Sequence, residues 1–229
     1  AFCYKIPDGK GPRVNVQSEL TAYNFAGDYT AWFYNGENHN IGPEKLTETD
    51  GTRLPVMTVK AGDKHYMAIH EACLETGAPL VLQSKGGESL FSVASKPASL
   101  SPGYTSAWRV VMYGATPGVL TDSHLLELLN PDPDPRYDFS WVKPGLAVWD
   151  WRINGAVWDG FTYGMSYPSW VRMVDFAAEQ GFKYLVLDAN WYGPEFESDS
   201  DPVEGEKSQD VQRLLKYGKE KDVGIWLYL

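Results

Sequence analysis

The chain has 229 residues, of which 43% are hydrophobic, 22% charged and 14% aromatic, with 30 acidic against 20 basic side chains and a formal charge of −10. That length leaves room for two domains, and the aromatic content excludes a disordered chain, which lacks the groups to build a core. The negative charge repels phosphate backbones and anionic lipid, so nucleic acid and membrane surfaces are poor partners and a neutral or cationic ligand fits better.

Cys3 and Cys73 are the two cysteines, with no C-x-x-C pair, so neither a disulfide framework nor a thiolate zinc site is indicated. No apolar run approaches the ~20 residues of a membrane span, and no signal-peptide pattern opens the chain. It opens on "AFCYKIP", which reads as the inside of a strand, so Ala1 is not expected to be a natural start.

Up to about residue 130 the chain shows short runs rich in aromatic and β-branched residues: "LTAYNF", "YTAWFY", "LPVMTV", "HYMAIHEACL", "PLVLQS", "SLFSVA" and "WRVVMYG". Ala61-Gly62-Asp63 and Lys85-Gly86-Gly87 lie between pairs of such runs, where hairpins need positive φ. This is the grammar of an antiparallel β-sandwich over residues 1–130. "NPDPDPRYDFS" follows, and Pro131, Pro133 and Pro135 can neither pair in a sheet nor continue a helix, so 131–143 reads as a linker.

From 144 to 229 the period changes. A strand-like "GLAVWDW" precedes "YPSWVRMVDFAAEQG", where Trp170, Val174, Ala177 and Ala178 recur at helical spacing, Pro168 suits the first turn and Gly181 the left-handed C-terminal position. "KYLVLDA" is a continuous apolar run of the kind parallel strands need. A second helix is predicted from Ser208, as N-cap, through Val211, Leu214 and Leu215, and "VGIWLYL" is a third strand. Strand, helix, strand, helix, strand is the opening of a parallel α/β domain. An apolar edge strand is avoided by folded proteins, so the natural protein is expected to continue past Leu229, or a second chain to cover that edge.

Side chains at the C-terminal ends of parallel strands supply the sites of α/β barrels. Asp150 and Trp151 end the first strand; Asp188, Asn190 and Trp191 end the second. Aromatic faces beside carboxylates suit a sugar, whose C–H groups pack on rings while its hydroxyls donate to carboxylates. The plain alternative makes the tryptophans core and Asp188 the cap of the next loop; the pattern weighs the two equally.

The stretches "SWVKPGLAVWDWRINGAVWDG", "YPSWVRMVDFAAEQGFKYLVLDANWYG" and "LLKYGKEKDVGIWLYL" resemble the start of the catalytic barrel of glycoside hydrolase family 97, and "HYMAIHEACL", "TSAWRVVMYG" and "LLELLN" resemble the later part of its N-terminal super-sandwich. The resemblance implies a multidomain β + α/β protein: a super-sandwich, then the first part of a (β/α)8 TIM barrel, truncated at both ends. It implies a secreted or periplasmic α-glucosidase or α-galactosidase acting on a terminal α-glycoside or oligosaccharide, with calcium in its site. The family's catalytic carboxylates are expected after Leu229, so no residue here is assigned that role and the 229 residues alone are expected to be inactive. Glu71, in "AIHEACL", matches the family's sandwich-domain calcium ligand; it shares a strand face with Met67, Ile69 and Cys73, where a carboxylate needs a cation or several donors. An ion pair with Arg or Lys, or a strand end already turned to solvent, would satisfy the same requirement. A non-catalytic carbohydrate-binding or structural module is the alternative function.

Other patterns carry less. His65 and His70 would face opposite sides of one strand. Asp199 and Asp201 lack the glycine and glutamate offsets of an EF-hand, and Gly86-Gly87 has no following Lys-Ser/Thr of a phosphate loop.

Overall fold

The computed structural model describes residues 1–36 and 40–228 and divides into two compact units, Ala1–Asp134 and Pro135–Leu229. The first unit is built from β1 (Val14–Val16), β2 (Ala22–Asn24), β3 (Thr30–Tyr34), β4 (Asn40–Lys45), β5 (Asp50–Gly62), β6 (His65–Ala72), β7 (Leu82–Lys85), β8 (Leu90–Val93), β9 (Ala98–Leu100) and β10 (Trp108–Gly114), followed by the short helices α1 (Pro117–Thr121) and α2 (Leu125–Leu128).

Every pairing in this unit is antiparallel. Eight strands form one connected sheet in which β5 is the hinge member. Its first four residues, Asp50–Arg53, pair with β7, while Met57 onward pairs with β6 and its other edge with β3. Alternation places Ala31, Phe33, Met57, Val59 and Ile69 against Leu82, Phe91 and Val93, with Leu46 and Leu80 closing the core. Each such side chain contributes about 1.5–3 kcal/mol on burial. The two glycine turns form the expected hairpins, with Gly62 opposite His65 between β5 and β6, and Gly86 and Gly87 at φ +70° and +73° between β7 and β8.

In this unit one reading differs from what is found. "AFCYKIP" is not a strand; Phe2 and Lys5 make isolated bridges to Arg109 and Thr105, anchoring an otherwise irregular segment along the end of β10. Strands β1 and β9 pair with each other across a long sequence separation that no local pattern reveals. Cys3 and Cys73 are free thiols.

The second unit contains β11 (Ala147–Trp149), α3 (Asp150–Ile153), the small hairpin β12 (Val157–Trp158) and β13 (Phe161–Thr162), α4 (Tyr167–Gln180), β14 (Tyr184–Leu187), α5 (Glu206–Glu220) and β15 (Gly224–Leu227). Strands β11, β14 and β15 form a parallel sheet in that order, with Trp149 opposite Val186 and Val186 opposite Trp226. Leu229, the last residue of the "VGIWLYL" run, lies outside the described residues.

Helix α4 buries Trp170, Met173, Val174 and Ala177, a stripe at helical spacing, and stops at Gly181, whose left-handed φ of +73° lets Phe182 donate to the Ala177 carbonyl. Helix α5 begins at Glu206 after Gly205, so Ser208 lies inside the first turn and is not the N-cap; its buried hydroxyl donates instead to the Asp201 carbonyl. The two helices cover one face of the sheet, packing on Leu185, Leu187, Val148 and Ile225. The other face carries Trp149, Tyr184 and Trp226, the last two stacked at 6.0 Å.

Candidate functional site

The C-terminal ends of β11 and β14 are tied together by one carboxylate. Asp150 follows β11 directly and is 1% exposed. Its Oδ1 accepts the Asp188 amide at 2.9 Å and its Oδ2 accepts the Trp170 indole N–H at 2.8 Å. Burial pushes its carboxyl above the usual carboxylate range; the N–H groups of Asp188, Trp170 and Trp151 pull the other way, and the charge of Asp188 adds to the rise. A carboxylate so enclosed has no free oxygen for a sugar hydroxyl, so the expectation that Asp150 contacts substrate does not fit this geometry.

Asp188 differs. It is half-buried, its Oδ1 accepts the Ala189 amide at 2.8 Å, and its second oxygen has no hydrogen-bond partner among the described residues. The capping reading accounts for one oxygen and leaves the other open. Trp151 is half exposed, its ring 5.7 Å from that of Trp149, and the Arg152 guanidinium lies over both rings at 4.9 and 4.7 Å.

Asn190 and Trp191 serve the loop itself. Asn190 adopts φ +73°, a conformation asparagine tolerates, its Oδ1 accepts the Glu195 amide at 2.7 Å and its carbonyl accepts Lys207 Nζ at 3.1 Å. Trp191 is 7% exposed within the core, and its indole N–H donates to the Tyr228 carbonyl at 2.9 Å. Trp191 offers no free face to a ligand, whereas the Asn190 side-chain NH₂ has no hydrogen-bond partner among the described residues; the rest of both residues satisfies the chain leaving β14 before it reaches α5. In the acidic stretch that follows, Asp201 Oδ1 accepts the Val203 and Glu204 amides, a turn rather than a cation loop.

In the first unit, Glu71 stands directly opposite Arg109 across the β6–β10 pair. Its Oε2 accepts the Leu80 amide at 2.9 Å and lies 3.4 Å from Arg109 Nη1. Arg109, 5% exposed, is held mainly by Glu19, with Nη2–Oε2 at 2.6 Å and Nε–Oε1 at 2.9 Å. Burial raises the Glu19 carboxyl, but hydrogen bonds from Arg109 and Thr21 and the Arg109 charge together bring it below its ordinary value. Because Glu19 takes most of the guanidinium, the Oε1 of Glu71 has no hydrogen-bond partner among the described residues. Among those residues no three His, Cys, Asp or Glu side chains gather to hold a metal. Glu71, with one oxygen open, fits as one donor of calcium's about six to eight oxygens, and the described residues gather no cluster of carboxylates around it.

Two family profiles cover nearly the whole sequence: one described as "Glycosyl-hydrolase 97 N-terminal" over residues 1–131, and one as "Glycoside hydrolase 97" over residues 148–229. The chain belongs to glycoside hydrolase family 97. It is 28% identical over 230 residues to a retaining alpha-galactosidase of Bacteroides thetaiotaomicron, covering 88% of this chain and 34% of that protein. A probable retaining alpha-galactosidase of Streptomyces bingchenggensis is 28% identical over 247 residues, covering 100% of this chain and 35% of the relative. Among solved structures, a family 97 enzyme from Pseudoalteromonas sp. strain K8 in complex with acarbose shares the fold at TM-score 0.71 and 23% identity, covering 97% of this chain and 37% of that one. The chain therefore spans about a third of the length of the curated relatives it matches.

For this family 97 chain, the strongest interactions at both places were missed by pattern reading. Trp170 was read as helix core, and the indole N–H that reaches Asp150 leaves no periodic trace. Arg109 could have been found: "WRVVMYG" puts a cation among apolar residues on a strand, and Glu71 is a carboxylate on an equally apolar one.

Proposed function

We propose that the protein spanning this chain is a glycosidase that removes a terminal α-linked sugar, most simply galactose, with retention of configuration. The observation that carries the sugar-binding part is Asp188: a half-buried carboxylate at a parallel strand end, one oxygen engaged and the other open. The reaction class follows the names of the two curated relatives. Retention requires a pair of carboxyl groups about 5 Å apart, one a nucleophile and one an acid then base. Asp150 and Asp188 do not form that pair, since Asp150 is enclosed with both oxygens occupied.

The second unit is, in this reading, the opening of a (β/α)8 barrel. Its support is that α4 and α5 lie on the same face of the parallel sheet, whereas a doubly wound sheet places helices on both. Tyr184 and Trp226 would then belong to the barrel's inner face. Calcium, with Glu71 as one ligand, and a secreted or periplasmic location accompany the reading as expectations of the family.

The test is hydrolysis of terminal α-galactosides and α-glucosides by the full-length protein, with the anomer of the released sugar followed by NMR. Release of the α-anomer supports the proposal. Binding of the sugar without turnover would instead establish a carbohydrate-binding module, and release of the β-anomer would overturn retention.

A further inference from the structure

We propose that Asp150 is a positioning residue: its carboxylate takes the place of a backbone carbonyl in the β11–β14 ladder and so fixes where Asp188 begins its turn toward the open end of the sheet. This rests on the reading of Asp188 as a sugar contact.

The ladder gives the reason. The Tyr184 amide donates toward β11, to the Leu146 carbonyl at 3.2 Å. With a period of two, Val186 and then Asp188 also point their amides at β11. The acceptor due for Asp188 is the backbone carbonyl of residue 150. The chain turns there into α3, carrying that carbonyl away, and the side chain of the same residue supplies Oδ1 in its place, 2.9 Å from the amide. An orphaned buried N–H is costly, so the substitution lets β11 end abruptly without releasing the end of β14.

The second oxygen is equally committed. Trp170 comes from α4 and is fully buried, so its indole N–H fixes the carboxylate plane from a third element. Glutamate at 150 would carry the carboxylate one methylene too far, and asparagine would turn an N–H₂ toward either the Asp188 amide or the Trp170 indole. Aspartate satisfies both donors at once. Asp188, thus anchored through its backbone, binds its own next amide with Oδ1 and holds the other oxygen in one direction.

The experiment uses the full-length protein. Asp150→Asn is expected to lower kcat/KM on a terminal α-galactoside at least about tenfold, and to cause no further loss in an Asp188→Ala background. Equal, additive losses in both backgrounds would overturn the inference, as would unchanged kcat/KM with a lowered Tm, the sign of a purely structural role. Hydrogen exchange followed by mass spectrometry reads the clamp without activity. Exchange at the peptide containing Asp188 should accelerate in Asp150→Ala, which removes the acceptor, and less in Trp170→Phe, which keeps it. Wild-type exchange in Asp150→Ala would overturn the inference, including where the protein hydrolyses no α-glycoside, the outcome that by itself refutes only the proposed activity. Should Asp150→Asn fail to fold, Trp170→Phe carries the test. Freed of its indole donor the carboxylate loses orientation, so a smaller kcat/KM loss that vanishes in the Asp188→Ala background is expected, and an additive loss overturns.

Discussion

Replacing Arg109 by methionine keeps most of the side-chain volume and removes the charge between Glu19 and Glu71. The structure sets the size of the effect. Arg109 is 5% exposed and makes two short charge-assisted bonds to Glu19, at 2.6 and 2.9 Å, plus a longer one to Glu71. Removing one member of a buried pair leaves its partner charged and unpaired, which costs about 3–5 kcal/mol. For a unit of this size that is a fall of roughly 10–20 °C in its melting transition, read by scanning calorimetry of the full-length protein. A second variant separates charge from packing: Arg109→Met combined with Glu19→Leu removes the stranded carboxylate and is expected to recover more than half of the loss. A fall below about 3 °C for Arg109→Met, or no recovery in the double variant, would refute the view that this buried pair holds β10 to the segment before β2.

Glu19 is held below its ordinary 4.5, so its stabilisation is complete above that pH and is lost as pH falls through the lower folded value; the Tm gap between wild type and Glu19→Gln should therefore narrow steadily on acidification, and a gap that widens would contradict the assignment. Gly218→Ala should destabilise despite the usual gain of about 1 kcal/mol for alanine over glycine in a helix, because a Cβ there would lie 2.6 Å from the Val223 carbonyl oxygen; urea unfolding of the variant reads the sign. Leu185→Ala, at a fully buried site between α4 and the sheet, should cost about 2–5 kcal/mol in the same measurement. If Glu71 donates its open oxygen to calcium, Glu71→Gln should weaken calcium binding in titration calorimetry of the full-length protein, whereas unchanged affinity removes Glu71 from the shell.

The regular elements were legible where periodicity is local. The alternation in "YTAWFY" and "HYMAIHEACL", the stripe of α4 and the stop at Gly181 each depend on residues within one element, and each is found where the spacing puts it. What could not be read was set by distant partners: β1 finds β9 far along the chain, and Phe2 and Lys5 bridge to the vicinity of β10. The candidate site shows the same division. Aspartates and aromatics at strand ends were visible, but not which of them stay free. Asp150 is consumed by a backbone and an indole donor and Trp191 by a backbone carbonyl, partners that a strand ending creates, whereas Asp188, Asn190 and Trp151 keep surface toward solvent.

Strand β5 has a consequence for folding. Because Asp50–Arg53 pair with β7 while the rest pairs with β6 and β3, a slip of one residue along this strand would turn the inward side chains of both flanks outward together. The register of one side is therefore proofread by the packing of the other. Amides on β6 and on β7, though bonded to different stretches, should open to solvent as a single cooperative unit.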